Sequence, residues 1–123
     1  MDGVSVDDGA SVVRLVNLTP HPVNIRIGDA AVSLPAADVP ARLTGEAEDV
    51  GMVRFEGLDV PVVEKRFTGI EGLPAPVPGV LLIVSQLVVD FVVGRDDLVT
   101  PADLVRDEAG NVIACRALAR RAS

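Results

Sequence analysis

The chain has 123 residues, a formal net charge of −7 and 49% hydrophobic residues, and its only aromatic residues are three phenylalanines. This length predicts one domain with a modest, aliphatic core. The acidic charge and the lack of Tyr and Trp argue against polymeric nucleic acid as a partner, because phosphates are repelled and bases find no stacking platform.

The sequence also limits where the protein is expected to work. Its longest apolar runs, residues 80–84 and 87–93, are too short and too interrupted by polar residues to cross a bilayer. The acidic first eight residues lack the basic and apolar segments of a signal peptide. The single cysteine, Cys115, cannot form an internal disulfide. We therefore expect a cytoplasmic protein without a membrane partner.

The chain is predicted to form one β-rich domain between two short tails. Residues 1–10 are expected to be a flexible acidic tail, residues 11–119 the domain, and residues 120–123 a short basic tail. About a fifth of all residues are valine, whose branched side chain suits half-buried strands. The predicted fold class is mainly β, or α+β at the margin, as an antiparallel sheet or a small barrel-like domain.

Strand and turn signals alternate through the first half of the domain. Residues 12–16 are apolar apart from Arg14, and residues 23–27 alternate between apolar and polar side chains, which predicts a strand with one buried face. Residues 28–29, Gly-Asp, are a hairpin signal that leads into a further strand at residues 30–34.

The middle of the chain predicts a second hairpin after a polar connection. Residues 44–49 are mostly polar and are expected to join two elements. Residues 50–55 and 60–67 are strand-like and flank residues 56–59, whose composition is typical of a turn.

One short helix is predicted near residues 86–93. Apolar side chains recur there at helical spacing, Ser85 is a favourable N-cap, and Gly94 stands just beyond the expected end. Residues 80–84 lead into it as a buried strand.

The last quarter predicts a helical turn followed by a hairpin. Residues 100–103, Thr-Pro-Ala-Asp, combine a capping box with proline at the first helical position. Residues 108–110 are then expected to form the turn of a final hairpin.

Seven short motifs stand out along the chain: NLTPH at 17–21, GLP at 72–74, VLLIVS at 80–85, RDDL at 95–98, VRD at 105–107, GNV at 110–112 and CRAL at 115–118. Together they resemble small uncharacterised proteins of actinobacterial phages and their hosts. The resemblance covers most of residues 12–118 and implies a phage or prophage setting, with the host cytoplasm as the location, but it implies no reaction.

Seven polar residues are candidates for a ligand site. The only histidine lies between two prolines in a tight connection, and ten of the eleven basic residues are arginine, whose planar fork suits carboxylates and phosphates. An arginine within an apolar run also needs a partner for its charge. The candidates are Asn17, Thr19, His21, Arg42, Arg95, Arg106 and Arg116.

Each candidate also has a purely structural interpretation. The ring of His21 could bond to a neighbouring backbone group, and Asn17 and Thr19 could hold the turn through their side chains. The arginines could pair with the excess carboxylates. Cys115 lies on an apolar strand face, which favours a buried structural thiol over a nucleophile paired with His21.

Two function classes remain open. The first is a phage-encoded accessory protein that sequesters a small anionic, nucleotide-type signal of host defence. The second is a small structural or assembly protein, such as a virion component or an oligomeric interaction subunit. No nucleophile, metal-ligand set or cofactor loop stands out, so we expect no enzyme, metal or cofactor. We also expect a homo-oligomer, because self-association can cover unpaired sheet edges.

Overall fold

The computed structural model describes residues 12–122 and contains eight strands and one helix within them. The predicted N-terminal tail, residues 1–10, lies outside the described residues, as does Ser123 of the predicted C-terminal tail. The elements are β1 (Arg14–Asn17), β2 (Val23–Ile27), β3 (Ala30–Leu34), β4 (Arg42–Phe55), β5 (Leu58–Glu71), β6 (Val80–Ile83), α1 (Gln86–Phe91), β7 (Leu98–Arg106) and β8 (Val112–Ala119).

Six of the strands form one nearly closed, barrel-like sheet in the order β1-β6-β7-β8-β2-β3. The predicted fold class, mainly β and barrel-like with one short helix, is confirmed. The pairing within the sheet is mixed, because β1 with β6, β6 with β7, and β2 with β8 are parallel. The parallel pair of β6 and β7 follows from the helix between them, which returns the chain to its starting end.

The helix begins as predicted and ends earlier. The hydroxyl of Ser85 accepts a hydrogen bond from the backbone N–H of Val88, as an N-cap does. The last helical residue is Phe91, and Val92 is the C-cap, so the helix stops two residues before its predicted end. Gly94 follows with a positive φ of 80°.

The predicted helical turn at residues 100–103 is wrong, because this segment belongs to β7. Pro101 pairs with Leu118 of β8, whereas the pairing of β6 with β7 involves only Leu98 and Val99 of β7. The side of β7 that faces away from β8 is therefore free beyond Val99, and a proline there removes no ladder hydrogen bond. Strand pairing with β8 overrides the local capping signal.

Two small clusters form the core, one on each side of β6. Alternate residues of a strand point to opposite faces, so β6 supplies Leu81 and Ile83 to the first cluster and Leu82 to the second. The first cluster also contains Val23, Val99 and Cys115, and the second contains Ala41, Val84, Val88, Val89 and Leu98 and packs beneath α1.

Strands β4 and β5 form a separate two-stranded sheet, which we call the arm (residues 42–71). Each strand has 14 residues, which corresponds to a length of about 45 Å. Leu43 and Ile70 at the base pack against the second core cluster, and nearly all residues beyond Thr44 and before Gly69 are exposed. The arm is thus attached to the barrel at one end only.

The arm corrects two details of the sequence prediction. Residues 44–49, expected to be a connection, belong to β4, because a strand with water on both faces needs no apolar alternation. The turn is also tighter than expected, since only Glu56 and Gly57 lie between the strands. Both have a positive φ, 48° and 81°, as a type I′ hairpin turn requires.

Candidate functional site

The first group of predicted site residues closes the barrel. Asn17 Nδ2 donates to the carbonyl oxygens of His21 at 2.9 Å, Pro35 at 3.0 Å and Leu34 at 3.5 Å. Asn17 Oδ1 accepts from the backbone N–H and the hydroxyl of Thr19, at 2.9 and 2.7 Å. Because Asn17 ends β1 and Leu34 ends β3, this side chain joins the two edge strands of the sheet.

The turn after β1 is therefore part of the fold's hydrogen-bonded framework. Asn17 and Thr19 are buried and hold the turn, as the structural interpretation of the sequence predicted. His21 is exposed, and among the described residues its hydrogen bonds involve its backbone N–H and carbonyl and not its ring.

Arg95 forms the most buried ion pair among residues 12–122. Its Nε and Nη2 atoms donate to the two carboxylate oxygens of Asp97 at 2.8 and 2.7 Å, and Nη2 also donates to the carbonyl of Pro74 at 3.0 Å. The side chain of Asp97 is 1% exposed and that of Arg95 is 17% exposed. The hydrogen bond to this carboxylate raises the pKa of the Arg95 guanidinium, and the pair ties the loop before β6 to the start of β7.

The other three candidate arginines have exposed partners. Arg42 pairs with Glu71 at 2.9 Å at the base of the arm, and Arg116 lies 3.9 Å from a carboxylate oxygen of Asp103. Arg106 donates to the carbonyl of Gly110 at 2.9 Å, within the turn between β7 and β8. Exposed ion pairs of this kind contribute little stability, about 0–1 kcal/mol.

The structure does not bring these arginines into one pocket. Arg95 precedes β7 and Arg106 ends it, so they are separated by the length of this strand, about 26 Å between residues 98 and 106. The seven-residue ligand site therefore divides into the closed group of Asn17, Thr19 and His21 and arginines on separate parts of the surface. Binding of a small anion stays a prediction, and one small ligand could contact only some of these residues.

Cys115 lies in the first core cluster with 2% of its surface exposed. Burial raises the pKa of its thiol, so the thiol stays protonated and unreactive at neutral pH. Among residues 12–122, no group of three His, Cys, Asp or Glu side chains could hold a metal ion, and no helix is long and apolar enough to span a membrane.

Sequence reasoning missed the most unusual surface, which lies at the end of the arm. In the β4–β5 register, Val53 is opposite Val60, Phe55 is opposite Leu58, and Gly51 is opposite Val62. Directly opposed residues share a face of the sheet. We call the five apolar side chains Val53, Phe55, Leu58, Val60 and Val62 the tip face, and they are 39–65% exposed.

The opposite face of the same segment is different. It carries Met52 opposite Pro61 and an ion pair of Arg54 with Asp59 at 3.1 Å. This face also carries the exposed Val63 opposite Asp49, so it mixes apolar and charged residues, whereas the tip face is apolar throughout. Period-two alternation on either side of residues 56–57 was the signal for this face in the sequence.

Comparison with protein-family models, curated proteins and solved structures finds no match to this chain. The geometry of the barrel closure, the buried ion pair and the arm therefore carries the functional argument.

Proposed function

We propose that this protein is a structural subunit that assembles with copies of itself through the arm. In the phage setting that the sequence motifs imply, such a subunit would be a small virion component. The observation that carries the proposal is the tip face, five adjacent apolar side chains that the described residues leave uncovered at the end of a long, protruding hairpin. Contiguous exposed apolar surface of this kind marks interaction sites.

The stability of the arm supports the same conclusion. An isolated two-stranded hairpin is marginally stable in water, and this arm packs on the barrel only near its base. Covering a Val, Leu or Phe side chain completely contributes about 1.5–3 kcal/mol relative to leaving it exposed. Burial of the five tip-face side chains would therefore supply several kcal/mol to an assembly.

The total surface area also fits an assembled state. The chain exposes 8651 Å², whereas a compact monomer of its mass would expose roughly 6,300 Å². Much of this excess comes from the arm, whose residues 45–68 are all exposed, and this exposed area is available to a partner.

The first prediction concerns the mass of the protein in solution. Size-exclusion chromatography with light scattering at micromolar concentration should give a multiple of the 12.8 kDa chain mass. The double substitution Phe55→Ser and Leu58→Ser should weaken association at least tenfold, because it removes the two largest side chains of the tip face. Met52→Ser is the matched control, since Met52 is equally exposed on the opposite face. A monomeric wild-type protein, or equal effects of both variants, would contradict the proposal.

A second prediction separates assembly from capture of a small anion. A ligand that binds only the folded state stabilises it by roughly 2.7 kcal/mol at a hundredfold excess over its dissociation constant. If assembly is the function, mononucleotides, cyclic nucleotides and ADP-ribose should leave the midpoint of thermal unfolding unchanged. A stabilisation that is lost in His21→Ala or in one of the arginine variants would support the anion-binding alternative.

A further inference from the structure

We infer that the arm of one copy docks on a specific part of the barrel of a second copy, namely an apolar cleft between β2, β7 and β8. This inference rests on the proposed assembly function and specifies its interface. Each copy would donate one arm and receive another, which is a head-to-tail contact that closes into a ring or continues as a filament.

The cleft exists because two neighbouring strands separate there. β2 and β8 pair at a single position, Ile25 with Cys115, and a side-chain bond from Asn24 Nδ2 to the carbonyl of Ile113, at 3.2 Å, bridges the gap beside it. The lining includes exposed apolar side chains, 38–50% accessible, at Leu104, Val112 and Ile113. Pro22 and Pro101 complete its apolar wall.

The chemistry of this cleft matches that of the tip face. Both surfaces are apolar and are formed by short runs of strand, and neither is covered by any described residue of the same chain. The prolines at the cleft provide no backbone N–H groups, so the contact would be made by side chains and not by addition of a strand.

Each of the two surfaces has a pair of charged residues beside it, and the two pairs are opposite in sign. The arm contains seven acidic and four basic residues, and Glu48 lies directly opposite Glu64, an unfavourable pairing in an isolated hairpin. Beside the cleft, Arg106 is opposite the lining residue Val112, and Arg26 follows Asn24 on the same strand face. Neither arginine has a carboxylate partner among the described residues.

The charged residues also lie at the same distance from the two apolar surfaces. Glu64 lies two residues beyond Val62 of the tip face, and Arg106 lies two residues beyond Leu104 of the cleft. Both separations are about 7 Å along a strand. With the tip face on the cleft, the two glutamates of one copy can therefore reach arginines of the next copy and relieve their mutual repulsion.

Charge reversal tests this interface in the full chain. The arm variant Glu48→Lys/Glu64→Lys and the cleft variant Arg26→Glu/Arg106→Glu should each shift the light-scattering mass toward the monomer, with association weakened at least tenfold, because like charges then face each other. The four substitutions together should restore the wild-type mass, and an equimolar mixture of the two variants should regain an assembled mass in which the two variants alternate. The control Arg14→Glu/Arg120→Glu changes the net charge equally and should leave the mass unchanged.

The outcomes separate the inference from the proposed function. If the wild-type protein is monomeric, both fail. If the cleft variant assembles like the wild type while Phe55→Ser/Leu58→Ser does not, the arm mediates assembly by another contact, such as arm against arm, and the cleft is rejected. Failure of the mixture to regain mass, with both variants folded by circular dichroism, also overturns the docking of arm on cleft.

Discussion

Replacing Arg95 with alanine is expected to lower the free energy of unfolding by about 3–5 kcal/mol, the usual cost of removing one partner from a buried ion pair. The side chain of Asp97 is 1% exposed and receives both of its side-chain hydrogen bonds from Arg95. In the variant, this carboxylate would remain buried without a cation. The substitution also removes the bond to the carbonyl of Pro74, which holds the preceding loop. Urea denaturation followed by circular dichroism measures the loss.

A substitution of the other partner of the ion pair, Asp97, provides the control. In Asp97→Asn, the guanidinium of Arg95 keeps its bond to Pro74 and, at 17% exposure, can still reach water, so we expect a smaller loss. An equal loss for both variants would show that the uncompensated carboxylate is not the cause.

Local features of this fold could be predicted from the sequence because neighbouring residues determine them. The N-cap at Ser85 depends on three following residues, and the turn at Gly57 depends on its own tolerance of a positive φ. The capping signal at residues 100–103 was equally clear, yet the segment is a strand, because pairing with β8 is worth more than one isolated helical turn.

The pairing of strands that are distant in the sequence could not be predicted from local patterns. β1 pairs with β6, and Arg14 and Val80 are partners although they are far apart in the sequence, so no local pattern specifies this parallel contact. The closure of the barrel by Asn17 depends on the carbonyls of Leu34 and Pro35, which only the folded chain brings near. The sequence could identify Asn17 as a turn residue but not the second strand that it joins.

The arm shows a different limit of sequence reasoning. The alternation of Val53 and Phe55 with polar residues predicts a strand with one covered face, and the strand is present. A pattern of this kind does not say whether the covering surface belongs to the same chain. Here no described residue of the chain covers the tip face, which is why a prediction of a compact domain missed the most functionally informative surface.

Replacing Asn17 with alanine is expected to cost about 2–4 kcal/mol, because each buried polar group left without a partner costs about 1–3 kcal/mol. The substitution removes the donor to Pro35 and Leu34 and the acceptor for the backbone N–H of Thr19. The edge strands β1 and β3 would then lose the side chain that joins them. Urea denaturation should show a lower midpoint, with little change in how steeply the free energy of unfolding depends on urea concentration.

Two further substitutions separate this structural role from a role in ligand binding. Asn17→Asp keeps the acceptor for Thr19 but places a carboxylate against the carbonyls of His21, Leu34 and Pro35, so its loss should equal or exceed that of Asn17→Ala. His21→Ala should change the free energy of unfolding by no more than about 0.5 kcal/mol, as is usual at an exposed position. If Asn17→Ala were as stable as His21→Ala, the hydrogen bonds of Asn17 would not be what closes the barrel.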